Sequence, residues 1–347
     1  MKSLKISVVM PVYKTEEFIE KSILSVVNQT YTNWELICVN DATPDNAVQI
    51  CEKFVANYSD KIKIIDSSPD GQEATRNRGQ EATRNRGLEA TTGDYVIFLD
   101  SDDTLAIDAL SELNAVAERD ESDIVIYSYS KIIDGEDRPV AFPENINGVY
   151  TQSELVRLLL KDITLGVLCC VGAKMYSMDF IRSNSLWFDK KYRFNEDAGF
   201  ILNSLGKAER ITLYNRPFYK YLIRKSNSIM SSYKPNMFST TVKARELIKE
   251  LYIDNNIWKN QEYYLRYYHE LLGLINGCLL NEMDYGSKES FIKEFNTIYV
   301  YEDFNAMIDC LLGSSGKFSK QHIYVWALRK KNYALVKFLL GASRWGR

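Results

Sequence analysis

Apolar residues in the first 130 positions come in short continuous blocks separated by stretches of helical period. Positions 6–10, 36–39, 62–65, 95–99 and 124–127 are mostly apolar runs, the pattern of strands buried on both faces. After the first run, Phe18, Ile19, Ile23, Val26 and Val27 recur at helical spacing, and Val48, Ile50, Phe54 and Val55 do so after the second. This predicts amphipathic helices between the strands. The alternation implies an α/β domain with a largely parallel, Rossmann-like sheet flanked by helices.

Positions 140–230 are mixed and carry aromatics at Trp187, Phe188, Tyr192, Phe194, Tyr214, Phe218, Tyr219 and Tyr221. From about 235 onward the pattern is helical and tyrosine-rich, as in Tyr263-Tyr264-Leu265-Arg266-Tyr267-Tyr268. Such stripes are read as packing surface, so a helical C-terminal region is expected. The organisation is therefore an α/β domain over 1–230, with halves 1–130 and 131–230, followed by a helical region over 231–347.

At 347 residues and 46% apolar content, the chain can bury a large core. Its cysteines (Cys38, Cys51, Cys169, Cys170, Cys278 and Cys310) contain no CxxC pair, and Cys38 lies in a strand-like run. Zinc binding and a disulfide framework are not expected, and a reducing, cytoplasmic setting is. No apolar run is long enough to span a bilayer, and the first residues lead directly into a strand. Neither export nor membrane crossing is expected.

The net charge of −3 hides an asymmetry, because positions 310–347 hold eight Lys or Arg and no Asp or Glu, leaving 35 basic against 46 acidic residues before them. That basic end contains Trp326, Tyr333, Phe338, Leu339, Leu340 and Trp345. It suits either an anionic membrane surface or a terminal helix packed on the protein. The first option would make the protein peripheral on the inner face of the cytoplasmic membrane. Nucleic acid is not an expected partner, since the chain is acidic overall and shows no reader motif.

Chemistry concentrates just past the 95–99 run, at Asp100-Ser101-Asp102-Asp103. Open α/β sheets bind ligands beyond the carboxyl ends of their strands, and hard cations take carboxylate oxygens while bridging to phosphates. A divalent metal with a diphosphate is the expected ligand. The alternative is a turn and helix cap, which fits Asp103 because Leu105, Leu110 and Leu113 begin a helical pattern. No GxGxxG follows the first strand, so a dinucleotide site lacks its main support.

Three further segments close successive strands: Pro11-Val12-Tyr13-Lys14-Thr15-Glu16, Asn40-Asp41-Ala42-Thr43-Pro44-Asp45, and an Arg/Asn-bearing stretch before the fourth strand. In this order they resemble family 2 glycosyltransferases of the GT-A fold, particularly bacterial enzymes of capsular and other surface polysaccharides. The similarity covers roughly residues 4–230. It implies an inverting transfer from a nucleotide sugar, a UDP-sugar in the first instance, to a hydroxyl of a lipid-linked saccharide.

The resemblance implies nucleotide-sugar contacts from Pro11, Tyr13, Glu16, Asp41, Arg84, Asn85, Asp100 and Arg224. Tyr13 would pack near the uracil and Asp41 would accept from it; a wrong base would leave that carboxylate unpaired. The alternative for Asp41 is an Asx-turn, and for Glu16 and Asp45 helix capping. Asp102 and Asp100 would form the DxD around Mn²⁺ or Mg²⁺, offsetting charge on the leaving diphosphate. Phe194-Asn195-Glu196-Asp197 resembles the family's ED motif, with Asp197 as the base and Glu196 beside it. A carboxylate crowded by acids and aromatics should have a raised pKa; the alternative is two acids in a helix's first turn. Tyr219-Lys220-Tyr221 and Arg224 through Ser228-Ile229 resemble the segment closing the catalytic domain. Lys14 stands where the family often has Asn, and Ala42-Thr43-Pro44 replaces a Gly-Ser pattern.

The Gly71-Gln72-Glu73-Ala74-Thr75-Arg76-Asn77-Arg78 segment recurs unchanged over 79–86, where the family has a single Arg-Asn-x-Gly. Solenoid repeats are longer and more numerous, so this reads as an in-frame duplication. Two helical copies would differ by about 12 Å and 80° and could not face one nucleotide. The second copy keeps the family spacing to Asp100 and is expected in the site, with the first bulged into the loop at Gly79. Two rivals remain: a silent saccharide- or partner-binding protein disabled by the duplication, and a phosphatase with Asp100 as nucleophile.

Overall fold

The computed structural model describes residues 3–67, 80–142, 146–159, 170–192, 195–224, 233–316 and 319–342. The chain divides into two compact units, Met1–Lys190 with Glu196–Lys225, and Lys191–Asn195 with Ser226–Arg347.

The first unit is organised around β1 (Ile6–Val12), whose residues are almost all buried. It pairs in parallel with β2 (Trp34–Asn40) on one side and β4 (Tyr95–Phe98) on the other, with Val8 opposite both Leu36 and Ile97. Burial between two helical layers explains why these strands read as unbroken apolar runs. β3 (Ile62–Asp66) extends the sheet beyond β2. α1 (Ile19–Val27) turns Ile19, Ile23 and Val26 inward, and α2 (Ala47–Asn57) buries Ala47 and Cys51.

α3 (Gln80–Ala90) lies close against β1 and β2 because of Gly87. A methyl group there would sit 2.2 Å from Val9 Cγ1 and 3.3 Å from Val39 Cγ2, so any larger residue would push the helix off the sheet.

The sheet continues through β5 (Thr104–Leu105), β6 (Ile124–Ile133), β7 (Glu136–Val140), β8 (Gly148–Tyr150), β9 (Lys174–Ser177) and β10 (Ile211–Leu222). Its main order is β3-β2-β1-β4-β9-β6-β10-β5, with β7 on β6 and β8 on β10. The strand order reverses between β1 and β4, which is the ligand-binding switch point of open α/β sheets. β9 departs from the expected parallel pattern: it runs antiparallel between β4 and β6. Helices α4 (Ala109–Asp120), α5 (Gln152–Leu159), α6 (Met178–Ser183) and α7 (Glu196–Leu205) complete the unit.

The second unit is helical: α8 (Met237–Asp254), α9 (Gln261–Tyr285), α10 (Lys288–Tyr299), α11 (Phe304–Ser314), α12 (Lys320–Arg329) and α13 (Tyr333–Ala342). Its starts are set by side-chain caps, with Asn260 accepting from Glu262 N–H, Ser287 and Ser290 forming a reciprocal pair, and Ser319 accepting from His322 N–H. Tyr263, Tyr267 and Tyr268 are buried, and Trp258 packs edge-on to Tyr264 and Tyr267. The tyrosine stripe is therefore core. No described helix is long and apolar enough to cross a membrane. Cys38, Cys51, Cys170, Cys278 and Cys310 are free thiols, and Cys169 lies outside the described residues.

Candidate functional site

The ends of β1, β2 and β4 converge at the switch point, and each loop there is tied to its neighbours. Pro11 is still in β1, paired with Val39. Tyr13 projects outward with Lys14 Nζ 5.3 Å from its ring centre. At the end of β2, Thr43 N–H donates to Asn40 Oδ1 at 3.1 Å, so Asn40 makes the turn that was the alternative reading of Asp41. The half-buried Asp41 instead accepts from Ser67 Oγ at 3.2 Å.

Glu16, an expected nucleotide contact, is bonded across to the neighbouring loop. Its Oε2 accepts from Asn46 N–H at 3.1 Å and its Oε1 from Asn46 Nδ2 at 2.9 Å, while its own N–H donates to Asp45 Oδ2 at 2.9 Å. Asp45 Oδ1 in turn accepts from Thr43 Oγ1 and from Ala47 N–H at the start of α2. Both carboxylates brace one loop against the other.

The acidic loop is held from below. Ser22 Oγ on α1 donates to the carbonyls of Ser101 (2.9 Å) and Asp103 (2.6 Å). Asp103 does not cap a helix: α4 begins at Ala109 with Asp108 in the cap position, and residues after Asp103 pair with β10 instead. Its buried carboxylate accepts from Tyr219 Oη at 2.5 Å and from Leu222 N–H at 2.7 Å. Burial, with the charges of Asp102 and Asp100, pushes this carboxyl well up. The side chain thus locks the loop to the end of β10.

Asp102 pairs with Arg224, whose guanidinium lies over the Phe18 ring at 4.6 Å. Burial and then the charge of Asp100 push Asp102 up, against Arg224. Asp100 Oδ1 meets Arg84 Nη2 at 3.0 Å.

Arg84, an expected nucleotide contact, is buried next to Asp100. It is 1% exposed, and its other terminal nitrogen lies 2.9 Å from Asp197 Oδ1 and 3.7 Å from Glu196 Oε1. Burial opposes its charge, but Asp197, Asp100 and Glu196 hold it protonated, well above the usual arginine value. Asp197 keeps 28% exposure with Oδ1 itself buried. Burial raises its pKa first, Arg84 opposes, and Glu196 and Asp100 add to the rise; the result is about 7.

Asn85, also an expected nucleotide contact, is engaged by backbone. Its Nδ2 donates to Phe188 O and its Oδ1 accepts from Phe188 N–H, both at 2.8 Å. Phe188 stacks on Phe200 of α7 with centroids 4.1 Å apart. The amide thus ties α3 to the Phe188–Phe200 stack on the helix that carries Glu196 and Asp197.

Residues 7–182 match the model of the glycosyl transferase family 2 domain. The chain belongs to that family. Uncharacterized glycosyltransferase EpsJ of Bacillus subtilis is 30% identical over 234 residues, covering 67% of this chain and 65% of EpsJ. Poly(ribitol-phosphate) β-N-acetylglucosaminyltransferase TarS of Staphylococcus aureus is 26% identical over 235 residues, covering 66% of this chain and 37% of TarS. The chain therefore spans less than two thirds of either relative. The structure of TarS residues 1–349 in complex with UDP-GlcNAc superposes with a TM-score of 0.64 at 18% identity, over 99% of this chain and 93% of that one. A mannosyltransferase from Pyrobaculum calidifontis in complex with GDP-Man and Mn²⁺ gives 0.52 at 13% identity, over 96% and 88%. These likenesses place the fold as GT-A.

In this family 2 member, Lys174 was not among the expected site residues, and Tyr219 was expected only within the segment closing the catalytic domain. Lys174, fully buried at the start of β9, donates to Cys170 O at 2.7 Å and acts as a second cation on Asp197. Tyr219 is buried beneath the acidic loop, and Gly172 makes room for it, since a methyl group there would lie 2.2 Å from Tyr219 Cε2. A lone lysine in an apolar stretch was the signal for Lys174, whereas Tyr219 lay in the Tyr219-Lys220-Tyr221 segment. Phe194, Ser228, Ile229, residues 160–169 and the first repeat copy lie outside the described residues.

Proposed function

We propose that this chain is a metal-dependent, inverting glycosyltransferase that moves a sugar from a UDP-sugar to a hydroxyl of a lipid-linked saccharide in surface polysaccharide synthesis. The observation that carries the reading is the single buried guanidinium of Arg84 joining the donor-side Asp100 to the acceptor-side Asp197. The UDP-GlcNAc complex of TarS supports the choice of donor nucleotide, and the family 2 match supports transfer to a hydroxyl.

The donor set fits a hard cation. Asp100 and Asp102 offer carboxylate oxygens, each now balanced by a guanidinium. Magnesium-type sites commonly use one or two carboxylates and complete their shell with phosphate and water. Among the described residues no three His, Cys, Asp or Glu side chains are grouped to hold a metal ion alone, so substrate oxygens are needed. When bound there, Mn²⁺ or Mg²⁺ supplies charge neutralisation for the departing diphosphate.

In this reading Asp41 and Tyr13 receive the base, and Asp197 takes the proton of the acceptor hydroxyl as it attacks the anomeric carbon from the opposite face. A pKa of about 7 leaves Asp197 partly ionised at neutral pH, near the optimum for a general base. The silent-binder rival is disfavoured because Arg84 and Asn85 hold connected positions despite the duplication. A phosphatase would leave Asp41 and Asp197 without roles.

Docking on an anionic inner-membrane surface is part of the same proposal. Trp326 (44% exposed) and Phe338 (69%) face solvent, with exposed Arg329 and Lys330 nearby in sequence, whereas Leu340 is core. The basic end thus divides between packing and surface. The deciding experiment for catalysis is UDP release from UDP-sugars: it should stop with a chelator and with Asp102→Ala, and metal-independent release would remove the acidic loop from the mechanism.

A further inference from the structure

Each candidate metal carboxylate is held by an arginine, and the two arginines differ in freedom. Arg84 is 1% exposed, divides its guanidinium among Asp100, Asp197 and Glu196, and stands on a helix packed through Gly87. Buried and held also by Asp197 and Glu196, it is not free to turn to a new partner. Arg224 is 26% exposed, pairs with Asp102, and stands just beyond the end of β10 with its guanidinium on the face of Phe18.

Arg224 Nη2 donates to Asp102 Oδ2, and a carboxylate oxygen paired with a guanidinium is less open to a cation. Asp102 also needs some positive partner, because it is largely buried and crowded by Asp100. Resting on the function proposed above, we infer that Arg224 is an exchangeable counter-ion: it pairs with Asp102 while no cation is bound, yields that carboxylate to the divalent cation, and turns its charge to the diphosphate. The Phe18 face gives the guanidinium an apolar support in either position. Arg224 is thus a positioning residue whose effects on the cation and on the nucleotide have opposite signs.

The test measures free Mn²⁺ by electron paramagnetic resonance in the full chain, in Arg224→Gln and in Arg224→Lys, with and without UDP. Arg224→Gln should bind Mn²⁺ alone about three- to tenfold tighter, because a competing positive charge is gone. In the presence of Mn²⁺ it should bind UDP about tenfold more weakly, because a charge-assisted phosphate contact is gone. Arg224→Lys, which keeps the charge, should stay near the parent in Mn²⁺ affinity. Unchanged or weaker Mn²⁺ binding by Arg224→Gln, with normal binding by the parent, overturns the exchange and leaves the proposed reaction standing. A parent chain that binds no Mn²⁺ at millimolar concentration, with or without UDP, overturns the metal-dependent reading itself.

Discussion

Arg84 Nη1 lies 2.9 Å from Asp197 Oδ1 although the two residues sit on different helices. The same guanidinium reaches Asp100 at 3.0 Å, so the donor and acceptor sides of the proposed site share one cation. Removing one partner from a buried ionic group costs about 3–5 kcal/mol. Arg84→Met should lose about that much stability in urea unfolding and about a hundredfold or more of UDP-sugar turnover. Arg84→Lys, which keeps the charge without the fork, should fall between. Parent-like stability of the Met variant would mean that the hub does not hold the site together.

Asp197 carries a pH dependence with opposite signs for turnover and stability. Its pKa is raised from 3.8 to about 7, by burial first, so the base is ionised only as pH climbs through that value. Turnover should rise between about pH 6 and 8 with a midpoint near 7. The folded state holds the Asp197 proton more tightly than the unfolded chain does. The stability this proton contributes is complete below about pH 4 and is lost as pH rises through about 7. The melting temperature of the parent should therefore decline relative to that of Asp197→Asn across pH 4–8. A constant difference between the two would show that Asp197 titrates at its ordinary value.

Ala42 has φ +51° and Lys14 has φ +53°. These are the positions where the sequence departs from the family's usual glycine and asparagine, residues that tolerate the left-handed region. At both positions this chain's backbone lies in that region, where a Cβ brings strain. Ala42→Gly should stabilise the fold by about 1 kcal/mol, read as a shift in urea midpoint, with the Asp41 loop unchanged. A destabilised variant would show that the alanine methyl contributes packing that outweighs the strain.

Strands buried on both faces were legible because their code is local: β1, β2 and β4 are nearly continuous apolar runs. β9 was not legible, since four residues beginning with a buried lysine carry no strand period. The acidic loop was found from its position after β4, but Asp103 was read as a cap because its partner Tyr219 lies 116 residues away. Arg84 and Asn85 were reached through their spacing to Asp100. Their actual contacts could not be read, because Phe188 lies 103 residues from Asn85 and no local pattern encodes that pairing.

Leu88 decides which repeat copy serves the site. The copies over 71–78 and 79–86 are identical and each is followed by glycine, but only the second is followed by leucine; the first leads into Gln80. Leu88 is buried in the core cluster beneath α3, and Gly87 lies against Val9. Shifting the first copy into the site would put a glutamine amide where the leucine packs. The lost apolar burial and an unpartnered amide together cost about 3 kcal/mol or more. Removing eight residues, 71–78, should therefore leave melting temperature and UDP-sugar turnover near those of the parent, because Arg84, Asn85, Gly87 and Leu88 all remain. Leu88→Gln makes the two registers alike at that position, so it should reduce turnover more in the full chain than in the shortened one. Loss of activity on removing the eight residues would instead assign the first copy an essential part.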